Sequence, residues 1–202
     1  MRTAQRRSIF FVLPLLAVAT GMSVGPDAWG GTETCDGEPA TMTLSGADDN
    51  IDGTSGRDVI VAKGGDDVIH GKGGNDVICL GSGADHGYGD DGTDEVRGEN
   101  GDDEIDDSSV LSQADRFYGG AGNDDIDGGP GADAYLYGGD DADSVRGGNG
   151  NDNVYGEKGN DELRGNNGLD RMFGDAGYDT AWGGGGISDY CMNDVEDQRD
   201  AC

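Results

Sequence analysis

Positive charge is what this 202-residue chain has least of for its size: 13 lysines and arginines stand against 42 acidic residues, for a formal net charge of -29 and a pI near 4.1. A surface of that sign repels phosphate and anionic headgroups, so nucleic acid is excluded as a partner. Histidine is nearly absent, with only His70 and His86, and between residues 44 and 191 there is neither an H-E-x-x-H nor a G-x-S-x-G motif. The chain is therefore not expected to be an enzyme. The four cysteines form no C-x-x-C pair and no nearby Cys/His cluster, which removes a zinc site. The longest mostly apolar run, Ile9 to Val18, is too short for a comfortable bilayer span, so no membrane insertion is expected.

Apolar residues are also few, at 33%, while glycine reaches 41 residues. Burial on that scale barely offsets the conformational entropy of ordering, and glycine loses more backbone freedom than any other residue. Self-repulsion at -29 adds to the cost. Left to itself such a chain stays unfolded, so something cationic must compensate.

What the chain does have is a nine-residue period, G-x-x-G-x-D-x-U-x with U large and apolar. Units starting at residues 44, 53, 62, 71, 80, 89, 98, 110, 119, 128, 138, 147, 156, 165, 174 and 183 give sixteen copies, with Asp107 to Ser109 and Tyr137 read as insertions. The sixth position is aspartate in fifteen copies: Asp49, Asp58, Asp67, Asp76, Asp85, Asp94, Asp103, Asp115, Asp124, Asp133, Asp143, Asp152, Asp161, Asp170 and Asp179; the last copy has Ser188. The eighth position is bulky and apolar in fourteen, namely Ile51, Ile60, Ile69, Ile78, Val96, Ile105, Phe117, Ile126, Tyr135, Val145, Val154, Leu163, Met172 and Tyr190, and fails at Gly87 and Ala181. One core residue per unit makes a thin core.

The six-residue glycine-containing part of each unit reads as a tight turn and the last three residues as a short strand whose apolar side chain faces inward. Turn, strand, turn, strand at constant period winds a solenoid, and if one unit is half a coil, residues eighteen apart stack at roughly 4.8 Å. Asp58 then lies over Asp76 and Asp67 over Asp85. Stacked carboxylates repel unless a cation lies between them, and carboxylates plus turn carbonyls offer the all-oxygen shell that Ca2+ accepts; Mg2+ demands a smaller octahedral shell, and transition metals want imidazole or thiolate. Turn chemistry alone would admit asparagine, which occurs at the fifth position (Asn75, Asn123, Asn151, Asn160) and never at the sixth. An EF-hand is excluded, because the segments beginning at Asp48 and Asn123 end in Val59 and Ala134 where glutamate is required. Cation occupancy is expected to be lower beside Gln113 and Asp141, which replace the fourth-position glycine.

The first thirty residues have a separate logic. Arg2, Arg6 and Arg7 precede the apolar run, so residues 1–30 read as a secretory signal, cut after Gly30 or after Ala19. The Arg6-Arg7 pair leaves the general secretory and twin-arginine routes both open. Loss of residues 1–30 takes the formal charge from -29 to -31. Thirteen divalent ions, one per pair of sixth-position aspartates two units apart, would bring it to -5. In an exported chain the cysteines are expected to be oxidised, and Cys35 with Cys79 and Cys191 with Cys202 is the pairing that staples each end of the array locally.

The units "GKGGNDVIC", "GGAGNDDID" and "GGNGNDNVY" resemble the glycine-rich nonapeptide repeats of the RTX, or haemolysin-type, calcium-binding family, over residues 44–191. The resemblance implies an all-β parallel β-roll, a right-handed β-solenoid of about sixteen nonapeptide half-coils, disordered without calcium, with the fifteen aspartates and turn carbonyls as Ca2+ ligands. Residues 31–43 are expected to form an N-terminal cap and 192–202 a C-terminal cap. Many relatives carry the repeats behind a protease, lipase or pore-forming domain. This chain shows no room for one and is expected to be a secreted, extracellular, calcium-binding β-roll with a structural, adhesive or interaction role; the alternative is an accessory or degenerate relative of a secreted RTX enzyme or toxin. An ice-binding surface is disfavoured by the shortage of outward threonines. The ninth-position residues of alternate units, Val61, Cys79, Arg97, Tyr118, Leu136, Tyr155 and Phe173, make one strand face more apolar than the other, which suggests a cell-surface, matrix or self-association partner unless residues 32–42 cover it.

Overall fold

The computed structural model describes residues 33–185, 189–192, 198 and 199. The nine-residue period becomes two nine-stranded parallel sheets laid face to face. The first runs from Met42–Thr43 through Val59–Val61, Val77–Ser82, Glu95–Asn100, Arg116–Ala121, Tyr135–Asp140, Asn153–Lys158 and Arg171–Ala176 to Tyr190–Met192. The second runs from Asn50–Asp52 through Val68–His70, His86–Tyr88, Glu104–Asp106, Asp125–Asp127, Ser144–Asn149, Glu162–Asn167 and Thr180–Gly184 to Gln198–Arg199. Consecutive strands alternate between the sheets, so each pair of units closes one coil. The protein is a parallel β-roll, with no helix among the described residues.

Strand alternation turns one side chain per unit inward, and these form a single continuous core. In the first sheet the inward column is Ile60, Ile78, Val96, Phe117, Leu136, Val154, Met172 and Cys191; in the second it is Ile51, Ile69, Gly87, Ile105, Ile126, Val145, Leu163 and Ala181. Where Gly87 leaves a gap, Leu80, fully buried, fills it: a β-carbon on Gly87 would stand 2.9 Å from both Leu80 and Val96.

Three features of the expected register change. The buried residue of its unit is Leu136, while Tyr135 is 41% exposed, so the extra residue precedes Leu136 and Tyr137 becomes the outward neighbour of Tyr118 and Tyr155. In the last unit Cys191, not Tyr190, pairs with Met172. There Asp189 accepts the N–H of Asp170 at 3.1 Å, so the aspartate series continues one residue beyond Ser188, which lies outside the described residues. Finally, Asp107 rather than Val110 holds a first position. Its N–H donates to the carbonyl of Asp127, as those of Gly89 and Gly128 donate to Asp106 and Arg146. The added residues widen the turn that follows it. Backbone hydrogen bonding across the rungs selects these registers, and a one-residue slip would have turned Leu136 outward.

Residues 33–43 cover the start of the roll. Thr34–Cys35 and Glu38–Pro39 form an antiparallel hairpin, and Cys35 packs with Val59, Val61, Val77 and Cys79 on the outer face of the first sheet. Cys35 and Cys79 are disulfide-bonded, as expected. Ion pairs Arg57–Glu38 at 2.5 Å and Arg97–Asp36 at 3.1 Å border the hairpin. Cys191 is also disulfide-bonded, and its expected partner, Cys202, lies outside the described residues. The signal expected over residues 1–30 and most of the expected C-terminal cap lie outside them too.

Candidate metal centre

The turns place every sixth-position aspartate against the rung eighteen or so residues away, in one repeated arrangement. The backbone N–H of Asp58 donates to Oδ1 of Asp76 at 2.7 Å, that of Asp67 to Asp85 at 2.7 Å, that of Asp103 to Asp124 at 2.8 Å and that of Asp152 to Asp170 at 3.0 Å. The same bond recurs without interruption from Asp49 to Asp189 across both insertions. From Asp58 to Asp179 all these side chains are buried.

The other carboxylate oxygen is treated differently. From Asp67 to Asp170, every sixth-position aspartate has a buried Oδ2 without a hydrogen-bond partner. A buried carboxylate with an unsatisfied oxygen is strongly destabilising, and a file of them is tolerable only where each meets a compensating cation or takes up a proton. The carboxyls of Asp94, Asp133 and Asp143 are accordingly pushed up to about 8, chiefly by burial and further by neighbouring aspartates, against the lowering effect of the backbone hydrogen bond. Asp67, Asp76, Asp115, Asp124, Asp152 and Asp161 rise to about 6 with burial again the leading cause.

The glycines explain why this oxygen has a cradle. At the first position a side chain would fill the space beside Oδ2: a β-carbon on Gly128 would stand 2.6 Å from Oδ2 of Asp133 and 2.7 Å from the carbonyl of Gly147. At most second positions the backbone is left-handed, and Lys63, Lys72, Glu99, Glu157 and Asn166 adopt positive φ there. The fifth position supplies a separate ladder: Asn151 and Asn160 accept the N–H groups of Leu169 and Tyr178, each at 2.9 Å. That bond needs only a neutral acceptor. The restriction of the sixth position to aspartate therefore follows from what Oδ2 must meet, not from the Oδ1 bond.

Two of the candidate ligands have a different environment. Oδ2 of Asp49 accepts the N–H and hydroxyl of Ser45, and Oδ2 of Asp58 accepts those of Thr54 at 2.7 and 2.9 Å. In the first coil a hydroxyl residue at the second position occupies the oxygen that later coils leave open. Among the described residues no three His, Cys, Asp or Glu side chains converge on one point, so a cation in a regular turn would take its remaining ligands from carbonyl oxygens.

The family model for the RTX calcium-binding nonapeptide repeat matches residues 45–78, 80–106, 111–135, 134–163 and 164–186, most of the described roll. The chain belongs to the RTX calcium-binding nonapeptide-repeat family. No curated protein matches it. RTX repeats bind Ca2+, and the all-oxygen donor set of this roll, with its buried Oδ2 file, fits that ion. His70 and His86 take no part: His70 stacks on Tyr88 with ring centroids 4.4 Å apart, and both histidines lie beside acidic side chains on the outer face of the second sheet.

The outer face of the first sheet carries the second feature of the RTX roll. Tyr118, Tyr137, Tyr155 and Phe173 stack in series with centroids 5.3, 4.6 and 4.9 Å apart, and the Arg97 guanidinium lies 4.4 Å above the Tyr118 ring. The expected apolar stripe is thus covered by the hairpin over Val61 and Cys79 and continues beyond Arg97 as a four-ring column, with Tyr137 in the place expected for Leu136.

Proposed function

We propose that this protein is a secreted calcium-binding β-roll that folds when it meets Ca2+ outside the cell and then serves a structural or interaction role. The buried, unsatisfied Oδ2 atoms of the sixth-position aspartates support this reading most directly. The proposed ligands are the fifteen aspartates from Asp49 to Asp179 with turn carbonyls, joined by Asp189 in the last coil. Asp49 and Asp58 bind most weakly, because a hydroxyl and an N–H already hold their second oxygen.

Extracellular calcium modules have dissociation constants of about 0.1–1 mM, far above cytosolic calcium, so the same chain is unfolded before export and ordered after it. The interaction role is assigned to the column Tyr118, Tyr137, Tyr155 and Phe173, whose half-buried rings stack along the outer face of the first sheet. Circular dichroism of the mature, oxidised protein through a calcium titration, with magnesium as control, tests the reading. A calcium-specific gain of β-structure is expected. A cooperative melting transition in the metal-stripped protein that calcium does not move would overturn it.

A further inference from the structure

The widened turn after Asp107 breaks the repeat in a way that adds oxygens. A regular rung has glycine at its first and fourth positions and offers one carboxylate, at the sixth. Here the first position is Asp107, the fourth is Gln113 and the sixth is Asp115. Asp107 is only 4% exposed, and its Oδ1 accepts the N–H of Ser109 at 2.9 Å. Its Oδ2 is buried without a partner, and so are Oε1 of Gln113 and Oδ2 of Asp115. Three orphaned side-chain oxygens thus fall within nine residues of chain.

The side chain of Asp107 is turned into the array rather than toward solvent. Its Oδ2 lies 3.1 Å from where a β-carbon on Gly129, in the next rung, would stand. Asp107 senses the charge of Asp115, and Asp94 and Asp133, in the rungs to either side, sense that of Asp107. The family match stops at residue 106 and resumes at 111, so residues 107–110, Asp107 among them, fall outside the family pattern. A carboxylate at a first position would ordinarily crowd the sixth-position Oδ2 beside it; the extra residues after Asp107 make the room.

We propose that the turn 107–115 is a calcium site of its own kind, in which the carboxylate of Asp107 and the amide oxygen of Gln113 join the carboxylate of Asp115, making it the tightest position in the array. Two carboxylates and an amide agree with the absence of any three-carboxylate convergence among the described residues. Ligand number and ligand charge set calcium affinity, and this rung exceeds its neighbours in both. The replacement of the fourth-position glycine therefore raises occupancy at Gln113, contrary to the expectation from sequence. The inference rests on the calcium reading above and adds to it the order in which sites fill.

Equilibrium dialysis of the full mature protein against radioactive Ca2+ resolves the two. The wild type should show one binding step at lower free calcium than the rest. Asp107→Asn, which keeps the shape and removes the charge, should weaken that step at least tenfold and leave the later ones in place. Gln113→Leu, which removes only the amide oxygen, should weaken the same step. Circular dichroism at saturating calcium shows that each variant has folded. A wild-type protein that binds no calcium would overturn both readings. A wild-type protein that binds normally, with either folded variant retaining its full isotherm, would overturn this one alone.

Discussion

The N–H of Asp133 donates to Oδ1 of Asp152 at 2.8 Å, and that bond decides which oxygen of Asp152 is left for a cation. Because Oδ1 is committed to the neighbouring rung, Oδ2 faces the glycine-lined turn with no alternative partner. The hydrogen bond needs an acceptor and the cation needs a charge. Asp152→Asn separates them, since the amide keeps an acceptor and loses the charge. The calcium-loaded variant is expected to lose about 3 kcal/mol of stability, the scale of breaking a buried charge pair. The metal-free chain should be unaffected or slightly more ordered, with one buried charge fewer. Urea titrations with calcium and with chelator measure both, and an equal loss in the two conditions would show that Oδ2 meets no cation.

Burial sets a pH dependence whose sign is opposite with and without metal. In the unfolded chain these carboxyls titrate near their ordinary value of 3.8, whereas in the roll Asp67 and Asp76 rise to about 6 and Asp94, Asp133 and Asp143 to about 8. The folded, metal-free form therefore holds more protons than the unfolded one. The stability this contributes is fully present below pH 3.8 and is lost as the pH rises through 6 to 8. Chelator-treated protein should thus gain β-structure on acidification and lose it toward pH 8. Calcium competes with the same protons, so its affinity should rise over that window, with protons released on binding. Dichroism against pH and proton release into weak buffer check the two halves. Metal-free protein equally ordered at pH 5 and pH 8 would contradict the assignment.

The eighteen-residue stacking and the inward apolar columns were legible from the period alone, because a nine-residue unit containing one turn and one strand has few ways to repeat. The positions of the insertions were not. Tyr135 and Leu136 both satisfy an apolar eighth position, and nothing local separates them; only pairing of Leu136 with Phe117 and Val154 does. Asp189 was hidden for the same reason, since the one-residue slip falls in a run of glycines that marks no boundary. Asp107 read as an insertion because it breaks the glycine rule, yet its N–H keeps the first-position bond. The split between Oδ1 and Oδ2 has no sequence signature, but the absence of asparagine at the sixth position was its shadow.

On the calcium reading, the first coil is expected to be the part of the roll least dependent on metal. Ser45 and Thr54 supply donors to Asp49 and Asp58, the hairpin adds a second apolar cluster, and Cys35–Cys79 closes 44 residues of chain. In the chain-entropy account a loop of that length is worth about 4 kcal/mol. Cys35→Ser with Cys79→Ser should therefore raise the calcium concentration needed for folding, because the ions must then offset that loss as well. The calcium midpoint of the dichroism change measures the shift, and reductant on the wild type, which also opens the Cys191 disulfide, should shift it at least as far. An unchanged midpoint would mean that the hairpin docks without its covalent tie.

The aromatic column supplies the test of the interaction role. Each stacked pair contributes about 0.5–1.5 kcal/mol beyond area burial, so the rings stabilise the rungs they join even with no partner. Tyr155→Glu with Phe173→Glu removes two adjacent rings and places like charges opposite each other at the Tyr155 and Phe173 pairing. A modest fall in calcium-loaded stability is expected on that ground alone. If the column also holds a second copy of the chain or a surface, the same variant should sediment as a smaller species and bind cells less, at calcium concentrations where dichroism shows it fully folded. Unchanged sedimentation and unchanged binding in the folded variant would reduce the column to a device for holding rungs together, and the interaction role would need another face.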